Sequence, residues 1–199
     1  MDFLLAWIDK NFKNFCYEII IASGFGHDKL QKYCFDKNLQ LELSPEDEPL
    51  GTLGAAANAA ILSKSKNILI LNGDTIFECN FQKVFQEFLN SSKALTIVLD
   101  KKENDRYGGY NLNKDGSLEL SKFNSSYISM GATFTKKELV IKTYKNFSSI
   151  KGKFAMMDEE FISKVSTKPF ILKENNPFID IGTLSSYEES QEIVPLLIT

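Results

Sequence analysis

Two aspartates in this chain of 199 residues stand at the ends of apolar runs. Asp74 follows the aliphatic run 68–71 in Leu71-Asn72-Gly73-Asp74-Thr75, and Asp180 stands in Phe178-Ile179-Asp180-Ile181-Gly182-Thr183. Two carboxylates on separate loops are what a hard divalent cation uses. Mg²⁺ prefers oxygen ligands and takes one or two protein carboxylates, with water and substrate phosphate completing its shell. The strand ends also matter, because open α/β sheets bind ligands beyond the carboxyl ends of their strands. The plainer reading of each acid is local. Asn-Gly-Asp is good turn chemistry, and an acid ahead of Gly-Thr can stabilise a helix N-terminus. Asp74 is not itself a helix cap, since Asn80 takes that place six residues later.

A third stretch, Glu46-Asp47-Glu48-Pro49-Leu50-Gly51-Thr52-Leu53-Gly54, runs into Ala55 and Ala56. Two glycines leading into a helix allow a flat group to approach the backbone closely. Thr52 and the neighbouring N–H groups could hydrogen-bond a base or a phosphate there. The alternative is an ordinary Ala-rich helix start with tight packing, with Thr52 as its N-cap.

The elements that must carry these residues can be read from periodicity. Residues 3–15 have apolar positions at helical spacing, and 17–22 is a short β-branched strand ending in Ser23-Gly24-Phe25-Gly26. A helix over 27–35, a strand near 39–43 and a helix over 53–63 follow. The strand 67–71 is apolar on both faces and is expected to be thoroughly buried. Asn80 opens a helix to about 89 whose face is Phe81, Val84, Phe85 and Phe88, and 94–99 is another buried strand. This alternation predicts a mostly parallel sheet covered by helices. The second half changes character, with strands at 110–112, 118–123 and 128–134 and a hairpin signal at Asn113-Lys114-Asp115-Gly116. Helices near 136–144 and 158–165, a strand near 170–172 and a closing helix over 185–193 complete the reading.

Composition excludes several classes. Twenty-three basic residues stand against 26 acidic ones, a net charge of -3, which leaves no basic footprint for nucleic acid and no polybasic segment for a membrane surface. No apolar run approaches the ~18 residues a spanning helix needs. Three widely spaced cysteines, Cys16, Cys34 and Cys79, without a C-x-x-C, fit neither a disulfide framework nor a zinc site and suit a reducing cytoplasm. His27 follows a glycine turn with no evident partner and is assigned no role.

Taken in order, Pro49-Leu50-Gly51-Thr52-x-Gly54-Ala55, Leu71-Asn72-Gly73-Asp74-Thr75-x-Phe77 and Phe178-Ile179-Asp180-Ile181-Gly182-Thr183, with Tyr187 four residues on, resemble the sugar-phosphate nucleotidyltransferase family. The pattern is most similar to the branch that activates D-glycero-D-manno-heptose 1-phosphate or mannose 1-phosphate with GTP. Ser23-Gly24-Phe25, Arg106-Tyr107-Gly108 and Met130-Gly131-Ala132 match further family segments. The resemblance implies an α/β fold, a Rossmann-like three-layer, GT-A-like arrangement on a mixed, mostly parallel sheet, as a single domain over 1–199. It implies that Asp74 and Asp180 hold Mg²⁺ against the phosphates and that Gly51 and Thr52 contact the base, with Glu46 pairing with guanine. It places Tyr107, Gly108, Lys122, Gly131 and Asp158 (or Glu159) on the sugar side. The implied partners are a nucleoside triphosphate and a sugar 1-phosphate, with neither nucleic acid nor membrane. The implied setting is cytoplasmic synthesis of surface polysaccharide precursors, with a homo-oligomer open.

The family opens with a strand and a G-G-x-G-T-R-L phosphate loop, for which these residues carry no counterpart, so its catalytic Arg and Lys have no match here. That strand lies mid-sheet in the family, and two neighbours are therefore expected without ladder partners, at roughly 1–3 kcal/mol per unpaired buried group. Lys122 follows Ser121 where the family reads Glu-Lys, and Leu53 replaces a small residue. Two other readings stay open at this point. One is a non-catalytic, truncated relative that binds sugar phosphate or pairs with a homologue. The other is a nucleotide-sugar glycosyltransferase, whose D-x-D would fall at Asn72-Gly73-Asp74.

Overall fold

The aromatic residues of the first helix explain how one half of the protein holds together. In the computed structural model, which describes residues 1–101, 109–172 and 178–198, α1 (Asp2–Phe12) buries Trp7, Ile8 and Phe12 on one face. Trp7 packs edge-on against Phe81 at 5.5 Å, and its indole N–H donates to the carbonyl of Phe77 at 3.0 Å. Phe12 lies 4.6 Å from Phe81. Each such buried ring contributes on the order of 1.5–3 kcal/mol. The cluster anchors a three-residue strand, β4 (Thr75–Phe77), that begins directly after Asp74.

The chain divides into two compact units. One comprises Met1–Tyr17, Leu69–Phe134 and Thr167–Thr199, the other Glu18–Ile68 and Thr135–Ser166. The second unit contains β1 (Ile20–Ser23) and β2 (Glu42–Pro45), paired in parallel from Ile20 opposite Glu42 to Ser23 opposite Pro45, with α2 (His27–Asp36) between them. It also contains α3 (Gly51–Leu62) and α5 (Lys137–Lys151), which pack together, and a π-helical turn over Asp158–Ile162. β3 (Asn67–Leu71) crosses from this unit into the first, where α4 (Phe81–Leu89) and β5 (Leu95–Lys101) follow. The hairpin of β6 (Gly109–Leu112) and β7 (Leu118–Ser121) turns through Asn113–Gly116 as expected. Gly116 sits at φ +81° and the Asp115 carboxylate accepts from both Ser117 N–H and Oγ. β8 (Tyr127–Lys136), β9 (Thr167–Ile171), β10 (Phe178–Asp180) and α6 (Leu184–Ile198) complete the order.

The main sheet runs β7-β6-β8-β5-β9 with β3 also on β8. β5 and β9 are parallel, whereas β6 is antiparallel to both β7 and β8. Asn80 caps α4 by accepting from Lys83 N–H at 2.9 Å, and Phe81, Val84 and Phe88 are its buried face. The mixed α/β reading therefore holds.

Several local expectations change. β4 was not expected. The strand expected near 39–43 lies at Glu42–Pro45, and the helix expected over 158–165 is the shorter π-helical turn. β3 is aliphatic on both faces, yet none of its five residues is fully buried. The reason is its position: among the described strands it pairs with β8 alone, while β1 and β2 form a sheet of their own. His27 does have a partner, its Nδ1 lying 2.8 Å from the Ser23 hydroxyl.

Glu18 closes the far end of α3. Its carboxylate accepts from Ser63 Oγ at 2.9 Å and from the N–H groups of Lys64 and Ser65 at 2.7 and 3.2 Å. The Ser63 hydroxyl, more than the two amides, holds this carboxyl below its ordinary value of 4.5. A lowered folded value means stability present above 4.5 and lost as pH falls through the folded value. Glu18→Gln keeps an acceptor and loses the charge. It should cost about 1 kcal/mol at pH 7, the site being exposed. In thermal melts the gap between the two proteins should close as pH is brought below 4.5.

Candidate active site

The acids Asp74 and Asp180 meet because of a short antiparallel ladder. β4 and β10 pair with Phe178 opposite Phe77, Ile179 opposite Ile76 and Asp180 opposite Thr75. One further bond, from Ile181 N–H to the carbonyl of Asp74 at 2.8 Å, continues the pairing past the strand ends. Asp74 enters β4 at the end where Asp180 leaves β10, so the two share one corner. Asp74 thus follows the carboxyl end of β3 and precedes β4, while Asp180 ends β10, the antiparallel neighbour of β4.

Side-chain geometry narrows the corner further. Asp180 Oδ1 accepts from Gly182 N–H at 2.7 Å, which closes an Asx turn, and Asp74 Oδ1 accepts from the Thr75 hydroxyl at 3.2 Å. A methyl group on Gly182 would stand 2.8 Å from Asp180 Oδ1 and 3.9 Å from Asp74 Oδ2. Glycine there leaves open the space that both carboxylates flank. Each acid retains an oxygen without a hydrogen-bond partner among the described residues. An all-oxygen set of two carboxylates fits Mg²⁺, which leaves its other positions to water and phosphate. No group of three or more His, Cys, Asp or Glu side chains gathers into a metal cage among the described residues.

Gly131 belongs to the same corner through Asn72. It takes φ +66° within β8, its carbonyl accepts from Asn72 N–H at 2.8 Å, and a methyl group on it would meet the Asn72 side chain at 2.6 Å. Its positive φ lets the Asn72–Asp74 turn lie directly on the strand. The expectation that Gly131 borders the sugar rests on the resemblance of Met130-Gly131-Ala132 to a family segment. What the structure shows is its packing against the Asn72 turn.

The glycine stretch sits in the other unit and builds a second piece of surface. Gly51 opens α3 at φ +71°, and a methyl group there would lie 2.4 Å from the carbonyl oxygen of Ala155. On either side, Leu53 N–H donates to that carbonyl at 2.9 Å and Ala155 N–H donates to the Leu50 carbonyl at 2.8 Å. A methyl group on Gly54 would meet Leu50 Cβ at 2.7 Å and the Tyr144 ring at 3.0 Å. The room that the glycines create on these sides is therefore filled by the chain itself. Thr52 is not the N-cap of α3. Leu50 takes that position, and the Thr52 hydroxyl accepts from Met157 N–H at 2.8 Å instead. Glu46 accepts from Leu50 N–H at 3.1 Å, so one carboxylate oxygen holds the approach to the loop. Beside it Glu48 pairs with Lys153 and holds that ammonium above the usual lysine range, while burial pushes the Tyr144 hydroxyl up.

Asp158 heads the π-helical turn directly after Met157 and is half-buried, whereas Glu159 is exposed. Lys122 is exposed in the bend after β7, without a hydrogen bond or ion pair to the described residues. Tyr107 and Gly108 lie outside the described residues. Sequence reasoning missed the parts played by Asn72, Ala155 and Met157. None carries a local signal, because each acts through its backbone or through a partner distant in sequence.

The family described as Nucleotidyl transferase matches residues 9–195. The chain is 28% identical over 182 residues to the D-glycero-alpha-D-manno-heptose 1-phosphate guanylyltransferase of Aneurinibacillus thermoaerophilus, covering 88% of this chain and 77% of that protein. It is 32% identical over 111 residues to the mannose-1-phosphate guanylyltransferase catalytic subunit beta of Drosophila melanogaster, 52% of this chain but only 30% of the fly protein. The crystal structure of HddC from Yersinia pseudotuberculosis, solved also in complex with GMP-PN, superposes with a TM-score of 0.77 at 22% identity, over 96% of this chain and 83% of that one. That likeness is one of fold. With the match running over nearly its whole length, the chain belongs to the nucleotidyl transferase family.

Proposed function

We propose that this protein, as a single domain over 1–199, transfers GMP from GTP to a sugar 1-phosphate of the manno-heptose or mannose class. A phosphate oxygen of the sugar 1-phosphate attacks the α-phosphorus. The bond from that phosphorus to the oxygen bridging to the β-phosphate breaks, and pyrophosphate leaves with the electron pair. The observation that carries the reading is the corner of Asp74, Asp180 and Gly182 in a chain of this family. Asp74 and Asp180 would hold Mg²⁺, which when bound supplies charge neutralisation to the phosphates and templates the in-line geometry. Gly51, Thr52 and Glu46 would contact the base, and Tyr107, Gly108, Lys122, Gly131 and Asp158 or Glu159 the sugar side.

No described helix is long and apolar enough to cross a membrane. The reading places the protein in the cytoplasm, where it supplies a nucleotide sugar for surface polysaccharide. The purified chain should release pyrophosphate from GTP and D-glycero-α-D-manno-heptose 1-phosphate, or mannose 1-phosphate, in the presence of Mg²⁺, with the nucleotide sugar detected by mass spectrometry. A folded protein that forms neither product would instead favour a non-catalytic sugar-phosphate binder.

A further inference from the structure

Three hydrogen bonds fasten Leu50 and the first turn of α3 to the segment 153–157. Two are backbone bonds that clasp Ala155 between Leu50 and Leu53. The third, from Met157 N–H to Thr52 Oγ1 at 2.8 Å, is made by a side chain. Burial along the segment alternates as in a clasped strand: Ala155 and Met157 are 1% and 8% exposed, Phe154 and Met156 59% and 36%. Thr52 itself is exposed, and its hydroxyl is not used to cap α3. Its bond to Met157 is the last of the three before the π-helical turn that Asp158 opens. π-Turns recur where a helix must place a side chain for function. A β-branched residue at position 52 makes the attachment stiff, because Thr has little χ1 freedom.

We propose that Thr52 is a positioning residue that couples nucleotide and sugar binding: its hydroxyl, by holding the Met157 amide, fixes Asp158 relative to the Gly51 loop. The inference rests on the assignment of the Gly51–Thr52 loop to the base and of Asp158 to the sugar. Order imposed on the loop by one ligand is transmitted to Asp158 through this bond, and by linkage the reverse holds by the same factor.

The test measures the affinity of D-glycero-α-D-manno-heptose 1-phosphate by calorimetry, with and without saturating guanosine 5′-[α,β-imido]triphosphate, which cannot transfer GMP. The wild-type protein should bind the sugar phosphate at least about fivefold more tightly with the nucleotide present. Thr52→Val should bring that ratio to within about twofold of unity, and Thr52→Ser, which keeps the acceptor, should restore most of it. A purely structural hydroxyl would lower the melting temperature and leave the ratio intact, which would overturn the proposal. So would wild-type protein that binds both ligands without coupling, leaving the functional reading standing. Wild-type protein that binds neither ligand would overturn both.

Discussion

Asp74→Asn and Asp180→Asn should each lower kcat/KM for nucleotidyl transfer by about a thousandfold or more, roughly 4 kcal/mol of transition-state stabilisation. The two substitutions isolate charge from fold. The structural bond of Asp74 is accepted by its backbone carbonyl, which asparagine keeps, and the side chain is exposed with only Thr75 as partner among the described residues. Asparagine at 180 can still accept the Gly182 N–H, since Asn closes Asx turns as Asp does. Melting temperatures should therefore move little while turnover collapses. The Mg²⁺ concentration for half-maximal rate should rise steeply in whichever variant retains measurable activity, because one carboxylate is left to hold the cation. Pyrophosphate release titrated against Mg²⁺ reads both quantities. Either variant working within tenfold of wild type would remove the acids from the metal-binding role and leave the corner as a turn.

How legible this corner was depends on which partner each residue needs. Asp74 and Asp180 could be paired from sequence because each follows an apolar run and stands within two residues of a glycine. Their actual meeting depends on β4, whose three residues Thr75–Phe77 are too few for a periodicity and exist as a strand only beside β10, about a hundred residues on. The same distinction separates the helices from the strand edges. The Asn80 cap and the burial of Phe81, Val84 and Phe88 are local facts and match the expectation, while Phe85, expected on the same face, is half-buried. The burial of β3 is not local, and four aliphatic residues in a row do not reveal how many neighbours will cover them. Thr52 shows the limit most clearly. A threonine ahead of an Ala-rich run is a good cap by local rules, but its hydroxyl goes to Met157, 105 residues away. The π-helical turn at Asp158 was hidden for a related reason, since apolar spacing over five residues does not separate i+5 from i+4 bonding.

Gly51→Ala tests whether that long-range clasp builds the nucleotide side. Two costs add. Gly51 holds φ +71°, a conformation that costs an L-residue about 1–2 kcal/mol. The new methyl would also sit 2.4 Å from the Ala155 carbonyl oxygen and 2.9 Å from its C and N atoms. These are backbone atoms held by bonds to Leu50 and Leu53, so they cannot swing aside as a side chain would. Overpacking of this kind typically adds about 1–3 kcal/mol. A total of about 2–5 kcal/mol should lower the melting temperature by roughly 4–20 °C in a chain of this size. Gly73→Ala is the matched control. Gly73 lies beside the acid corner without a positive φ, and nothing stands within 4 Å of the place its new methyl would take. That substitution should shift stability by no more than about 0.5 kcal/mol. Because the strain falls on the loop that leads into Thr52, the KM for GTP should rise in Gly51→Ala even where the protein is still folded. Equal melting temperatures for the two variants would mean that segment 153–157 is not seated on Gly51. The clasp would then not position the base-side loop.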